Sequence, residues 1–280
     1  MRSRARALAL LTPAAAYYTA LFLLPLVLLA AYSFYTVENF EPVSNLTFDN
    51  YVQALTADVY RGFYLRTLRI AATVAILVTA ISFPFAFVLT YLLPAKKHLL
   101  YFLVLVSLFG GYIVRVYAWR NIMGREGVIN QTLMQLEIVD SPVTVFLNSE
   151  WAVIVALVNY LIPFGVLPIY AAMQNVSMSQ IEAAQDLGAS RWRAAFRVVL
   201  PLTSKGCVAA FAVAFIATSA EWVTPQLLGG TGDQLIGNQI QYQFGGGLNW
   251  PLGAALALTM VAIVVAILGV AYLGVRRWLR

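Results

Sequence analysis

The chain has 280 residues, of which 61% are hydrophobic and only 11% charged. Soluble domains carry about a quarter charged residues, so this composition excludes an ordinary soluble domain. The formal net charge of +6 does not point to nucleic acid, because the basic residues collect on one side of a membrane arrangement.

In chain order, Met1-Arg-Ser-Arg-Ala-Arg6 precedes an apolar stretch containing Ala14-Ala-Ala16, which imitates a secretory leader. The run continues well past the about 7–15 apolar residues of a leader. It is therefore retained as a first span over 14–35, with a kink expected at Pro25. A connection over 36–69 carries Phe48-Asp-Asn-Tyr51 and Arg66-Thr67. A second span is predicted over 70–93, followed by Lys96, Lys97 and a lone His98. A third, over 99–119, ends with Arg115, Tyr117 and Trp119, and the connection 120–150 opens with Gly124-Arg-Glu-Gly-Val-Ile-Asn130. A fourth span over 151–172 contains Pro163 and Pro168. Each run approximates the roughly 20 residues that cross a bilayer as a helix.

Residues 173–205 break this pattern. Ser179 with Glu182 three residues later reads as a capping box, and Gly188 suits a helix C-cap. The helix between them has about two turns, far too short to span a bilayer. A second helix begins at Ser190 and must stop or bend near Pro201. A short helix held at the water side of a membrane protein is a docking element. A fifth span over 206–224 brings Glu221 and Trp222 to its outer end. The connection 225–251 includes Gly245-Gly-Gly247, read as a flexible outer turn, and a sixth span covers 252–275. The prediction is one all-α membrane domain over 1–280 with six transmembrane helices.

Charge sets its orientation. Arg2, Arg4, Arg6, Lys96, Lys97, Arg191, Arg193, Arg197, Lys205, Arg276, Arg277 and Arg280 fall on one side of the six-span arrangement. The positive-inside rule puts that side, with both termini and the 173–205 loop, in the cytoplasm. Single Cys207 and lone His98 read as packing residues, and no metal site is expected. The chain contains no G-x-x-x-x-G-K-[ST], H-E-x-x-H or G-x-S-x-G string. ATP binding of the Walker type is therefore not expected here. A membrane enzyme would want paired catalytic groups within a span, and only isolated ionisable residues occur there. An ion-driven carrier would suit acidic clusters near the midplane.

Ionisable groups in the membrane zone are functional candidates by default. Arg115 and Glu221 lie at roughly similar depth, counted at about 1.5 Å per residue from the cytoplasmic ends. In one reading they pair and lock two spans together. In the other, Glu221 with Trp222, Tyr117 and Trp119 lines a solute path, where a carboxylate and aromatic faces hold an ammonium group. Tyr and Trp also collect at membrane interfaces, which is the favoured reading for Trp250.

Glu182-Ala-Ala184, Gly188 and Leu200-Pro201 resemble the EAA loop of permease subunits in bacterial type I ABC importers. Arg115-Val-Tyr-Ala-Trp119, Gly124–Asn130, Glu221-Trp-Val-Thr-Pro-Gln-Leu-Leu-Gly-Gly230, Leu235-Ile-Gly-Asn238 and Asn249-Trp-Pro-Leu-Gly253 are similar to the spermidine/putrescine permeases within that group, of the first-subunit type. The resemblance implies a bacterial inner-membrane permease with a cytoplasmic coupling helix. It implies three kinds of partner: a cytoplasmic ABC ATPase dimer that binds ATP and Mg, a second homologous permease subunit, and an extracytoplasmic solute-binding protein. It assigns Glu182, Ala183, Ala184, Asp186 and Gly188 to the ATPase contact. It also implies alternating-access import of a small solute, a polyamine foremost, with another amino or organic solute as the alternative. Members often carry Asn-Ser where this chain has Arg66-Thr67. A cation there, beside Arg61 and Arg69, suits a polycationic solute only if it faces away from the path.

Overall fold

The computed structural model describes residues 12–13, 16–39 and 41–278. Arg2, Arg4, Arg6, Ala14 and Arg280, used above for orientation and for the leader question, lie outside them. Helix α1 (Ala16–Tyr32) is apolar. A π turn over Thr19–Leu23 leads into its second part, where Pro25 sits in the first turn. A prolyl nitrogen has no proton to give, so the helix widens locally instead of ending. A short antiparallel hairpin follows, β1 (Thr36–Glu38) with β2 (Glu41–Val43), Thr36 opposite Val43. Then comes α2 (Asp49–Thr56). Here Phe48-Asp-Asn-Tyr51 works as a clasp. Asn50 Nδ2 donates to the carbonyls of Ser33 (2.9 Å) and Tyr35 (2.8 Å), and the Tyr51 hydroxyl meets Ser33 Oγ at 2.7 Å.

Helix α3 (Asp58–Leu92) has 35 residues and starts well before the predicted 70. At about 1.5 Å per residue it exceeds a hydrocarbon core of about 30 Å. Hydropathy marks only the embedded part, and the turns bearing Arg61, Arg66 and Arg69 extend beyond it. The expected third span falls on two helices, α4 (Lys97–Leu108) and α5 (Tyr112–Met123). The chain bends by 91° between α4 and the Tyr112–Gln135 segment that α5 opens, at a break containing Gly110 and Gly111. Helix α6 (Val128–Gln135) follows. The connection after it is held by buried Asn130, which donates to the carbonyls of Gly124 (3.0 Å) and Val143 (3.1 Å) and accepts from Val143 N–H (2.8 Å).

Helix α7 (Glu150–Met173) is capped by Ser149 Oγ, which accepts from Ala152 N–H at 3.2 Å. Helices α8 (Met178–Asp186) and α9 (Arg191–Leu202) form the polar loop. Helix α10 (Ser204–Ser219) meets α9 at a bend of 77°, two residues beyond Pro201. It ends before Glu221, short of the predicted 224, and α11 (Val223–Leu228) takes over. Helices α12 (Ile236–Phe244) and α13 (Trp250–Trp278) complete the chain. Among the described residues α3, α7 and α13 can each cross a membrane by length and apolarity, and up to five crossings result if each bent pair counts as one.

Contacts divide the chain into two compact units. The first holds residues up to Gly62 with Gln239–Ile263. In it Asn249 Oδ1 caps α13 by accepting from Leu252 N–H (3.1 Å), Gln243 Nε2 donates to the Tyr60 hydroxyl (3.3 Å), and the rings of Phe244 and Trp250 meet edge to face. The second holds Phe63–Asn238 with the residues from Val264. Within it α7 packs against α10. Gly206 makes that approach possible: a Cβ there would lie 2.6 Å from Ala172 Cβ and 2.7 Å from the Pro168 carbonyl oxygen. Such distances leave no room for any side chain.

Candidate functional site

The polar loop is built around one buried side chain. Ile181 joins a core cluster with Phe83 and Phe87 of α3, Ile169 and Met173 of α7, and Ala194, Ala195 and Val199 of α9. The helix cap differs from the expected one. Ser177 and Gln180, not Ser179 and Glu182, form the capping box: Gln180 Oε1 accepts from Ser177 N–H at 3.1 Å. Both pairs satisfy the spacing rule. The choice between them falls to the apolar residues outside and inside the cap, which pack together as a hydrophobic staple. For Ser177 those are Val176 and Ile181, both buried in the same cluster; for Ser179 they are Met178, which is exposed, and Ala183.

This frame has a consequence for Glu182. Its carboxylate is not used in the cap, and it stands exposed with Ala183, Asp186 and Gly188 along one side of α8, while Ala184 packs partly on the core. Gly188 closes the helix in the left-handed region at φ +85°. Ala189 N–H donates to the Ala184 carbonyl (3.0 Å) and Gly188 N–H to that of Gln185 (2.8 Å), a Schellman ending. Leu187 beside it is 90% exposed.

At the far end of the same unit lies a cavity of about 180 Å³ lined by Tyr112, Leu157, Tyr160, Leu161, Ala217 and Glu221. Glu221 Oε1 accepts from the backbone N–H groups of Trp222 (3.0 Å), Val223 (2.9 Å) and Thr224 (3.4 Å), so it caps α11. The Tyr112 hydroxyl shares a 2.5 Å hydrogen bond with Thr224 Oγ1 and lies beside the Glu221 carboxylate. Tyr112 and Tyr160 rings are 4.8 Å apart.

Arg115 and Glu221 do not pair; among the described residues the ion pairs are Arg61–Asp58 and Arg69–Glu150. Arg115 Nη2 instead donates to the Ser107 carbonyl at 2.6 Å, Nη1 reaches that of Tyr160 at 3.5 Å, and Cζ lies 5.6 Å from the Tyr160 ring centroid. The guanidinium thus crosses the break in the bent pair and satisfies a carbonyl in the last turn of α4, the end that favours cations. Of the other path candidates, Trp119 Nε1 donates to Asn159 Oδ1 (3.3 Å), while Tyr117 and Trp222 are exposed outside the cavity lining.

Sequence reasoning missed Tyr112 and Tyr160. Tyr112 follows Gly110-Gly111 directly, and the break there resets which face of the third span looks inward; that glycine pair was the available signal. Tyr160 sits in an apolar run where nothing distinguishes it from a packing aromatic. The structure also fixes the direction of Arg66, whose Nη1 donates to the Gly232 carbonyl, while Thr67 Oγ1 accepts from Ile236 N–H at 2.9 Å. Both tie the 229–236 loop to α3 and neither lines the cavity.

A family model described as "Binding-protein-dependent transport system inner membrane component" matches residues 16–280. The spermidine/putrescine transport system permease protein PotB of Haemophilus influenzae is 32% identical over 252 residues, covering 89% of this chain and 87% of the relative. PotB of Escherichia coli is 31% identical over 218 residues, 78% of each chain. A bacterial alginate ABC transporter, solved in complex with an alginate pentasaccharide-bound periplasmic protein, matches with a TM-score of 0.81 at 15% identity, covering 100% of this chain and 96% of that one. At that identity the likeness carries the fold alone.

Proposed function

Since this chain belongs to the family of binding-protein-dependent transport system inner membrane components, we propose that it is the permease subunit of a spermidine/putrescine importer. It forms one membrane domain with both termini in the cytoplasm and works beside a second permease. A cytoplasmic ATPase dimer binds Mg and ATP, and the hydrolytic step belongs to that subunit. A solute-binding protein delivers its load to the outer side. The polyamine reading is supported by two relatives of that name that match over most of their length.

The observation that carries the reading is the exposed face of α8. Glu182, Ala183, Asp186 and Gly188 are presented to a partner, while Ile181 ties the helix to the ends of α3 and α7. ATP binds one state of the ATPase better than the other, and only such a difference shifts a conformational equilibrium. The displacement of α8 passes through the shared core to α7 and α10, whose outer parts line the cavity at Glu221. There the carboxylate and the rings of Tyr112 and Tyr160 offer an ammonium group both charge and cation–π contact. The cavity's about 180 Å³ is smaller than the roughly 300 Å³ at which small-molecule pockets begin. It has room for one end of a linear amine.

The test is ATP hydrolysis by the complete complex in liposomes, with binding protein, against a panel of polyamines and uncharged or anionic solutes. Stimulation by spermidine or putrescine, lost in Glu182→Lys, is expected. Stimulation only by an uncharged or anionic solute removes the polyamine.

A further inference from the structure

Between α8 and α9 lies a cleft of about 270 Å³, with Ala184, Leu187, Gly188 and Ala189 on one wall and Arg193 and Arg197 on the other. The two arginines are one helical turn apart, so their side chains share a face. Neither guanidinium has an ion pair or hydrogen bond among the described residues.

Their placement opposes local stability. Ser190 Oγ caps α9 by accepting from Arg193 N–H at 3.3 Å, which puts Arg191 and Arg193 in the first turn. That end of a helix carries partial positive charge and favours carboxylates. Two cations there, and a third a turn later, leave an unbalanced positive site. The adjoining face of α9 is committed elsewhere: the rings of Trp192 and Phe196 lie tilted against those of Phe87 and Phe83, each at 5.8 Å. These contacts hold α9 so that Arg193 and Arg197 stay at the cleft.

We propose that this cleft receives an acidic side chain of the partner ATPase, clamped between Arg193 and Arg197. The inference rests on the function proposed above, which brings the ATPase to α8. Charge complementarity selects the occupant, because planar guanidinium forks match a carboxylate. Position selects its source: one wall is the exposed exit of α8, the part offered to the ATPase, whereas the Trp192–Phe196 face is the one turned to α3.

The experiment titrates purified ATPase onto the permease pair in nanodiscs, comparing wild type with Arg193→Glu, Arg197→Glu and the corresponding Gln variants. Charge reversal at either position is expected to weaken ATPase binding by roughly tenfold or more, with Gln intermediate, and raised salt is expected to shrink the difference. Thermal melting of each variant permease pair checks that the fold persists. Unchanged affinity in well-folded variants overturns the proposal. So does unchanged affinity accompanied by a new dependence on anionic lipid, which assigns the cleft to a headgroup phosphate. Glu182→Lys separates the two levels: if it uncouples hydrolysis while the arginine variants bind normally, only this inference fails. If Glu182→Lys has no effect, the coupling role of α8 fails with it.

Discussion

One oxygen of Glu221 already serves three backbone donors at the start of α11. A carboxylate so engaged keeps its charge but offers less of it to a solute, and substitution must separate the two tasks. Glu221→Gln retains a side-chain oxygen for the cap and removes the charge; the expected outcome is impaired uptake with subunit assembly intact. Normal uptake kinetics in that variant would remove Glu221 from the path. Glu221→Ala loses the cap as well, at a cost of about 1 kcal/mol, and should also lower the melting temperature. Arg115 answers a different problem. Arg115→Met frees the part-buried Ser107 carbonyl in the bent pair, at a cost of about 1 kcal/mol. Reduced thermal stability is expected, and an unaltered melting curve would show that the guanidinium does not staple the break. Thr218 and Ser219 have buried hydroxyls without partners among the described residues. Replacing Thr218 by Val should therefore raise the melting temperature; a fall would show that the hydroxyl is bonded.

The elements follow from rules of different reach. Apolar runs announce α3, α7 and α13, because lipid demands closed backbone hydrogen bonding over a fixed thickness. The same rule blurs where Gly110-Gly111 splits a run that hydropathy treats as continuous, and where α3 extends past the bilayer. The polar loop was legible at Gly188 and Ser190, whose backbone roles are local. The frame of α8 was not, since two Ser-x-x-acid/amide spacings competed and only the burial of Val176 and Ile181 decides between them. Tyr160 was illegible for the same reason in another form: its role depends on which helices surround it. A prediction tests the local part. Gly188→Ala must hold φ +85° with a side chain, at a cost of about 1–2 kcal/mol. ATP hydrolysis should respond less to loaded binding protein while membrane insertion is unaffected.

At the scale of the molecule, the Val176–Ile181 staple and the α3–α7–α9 core hold α8 to α7, and α7 packs against α10, both of which reach the cavity at Glu221. Ion-driven carriers are abolished by ionophores; uptake by the complex of this chain should survive collapse of the ion gradients and stop when ATP is withdrawn. Persistence of uptake without ATP would overturn the importer reading. The Gly206 contact sets a limit on timing. No side chain fits between α7 and α10 at Gly206, so a push on α8 is absorbed little before it reaches the ends of α7 and α10 beside the cavity. Probes placed on the polar loop and beside Tyr112 should report movement in the same instant, as two ends of a rod do, without the lag of a slack linkage.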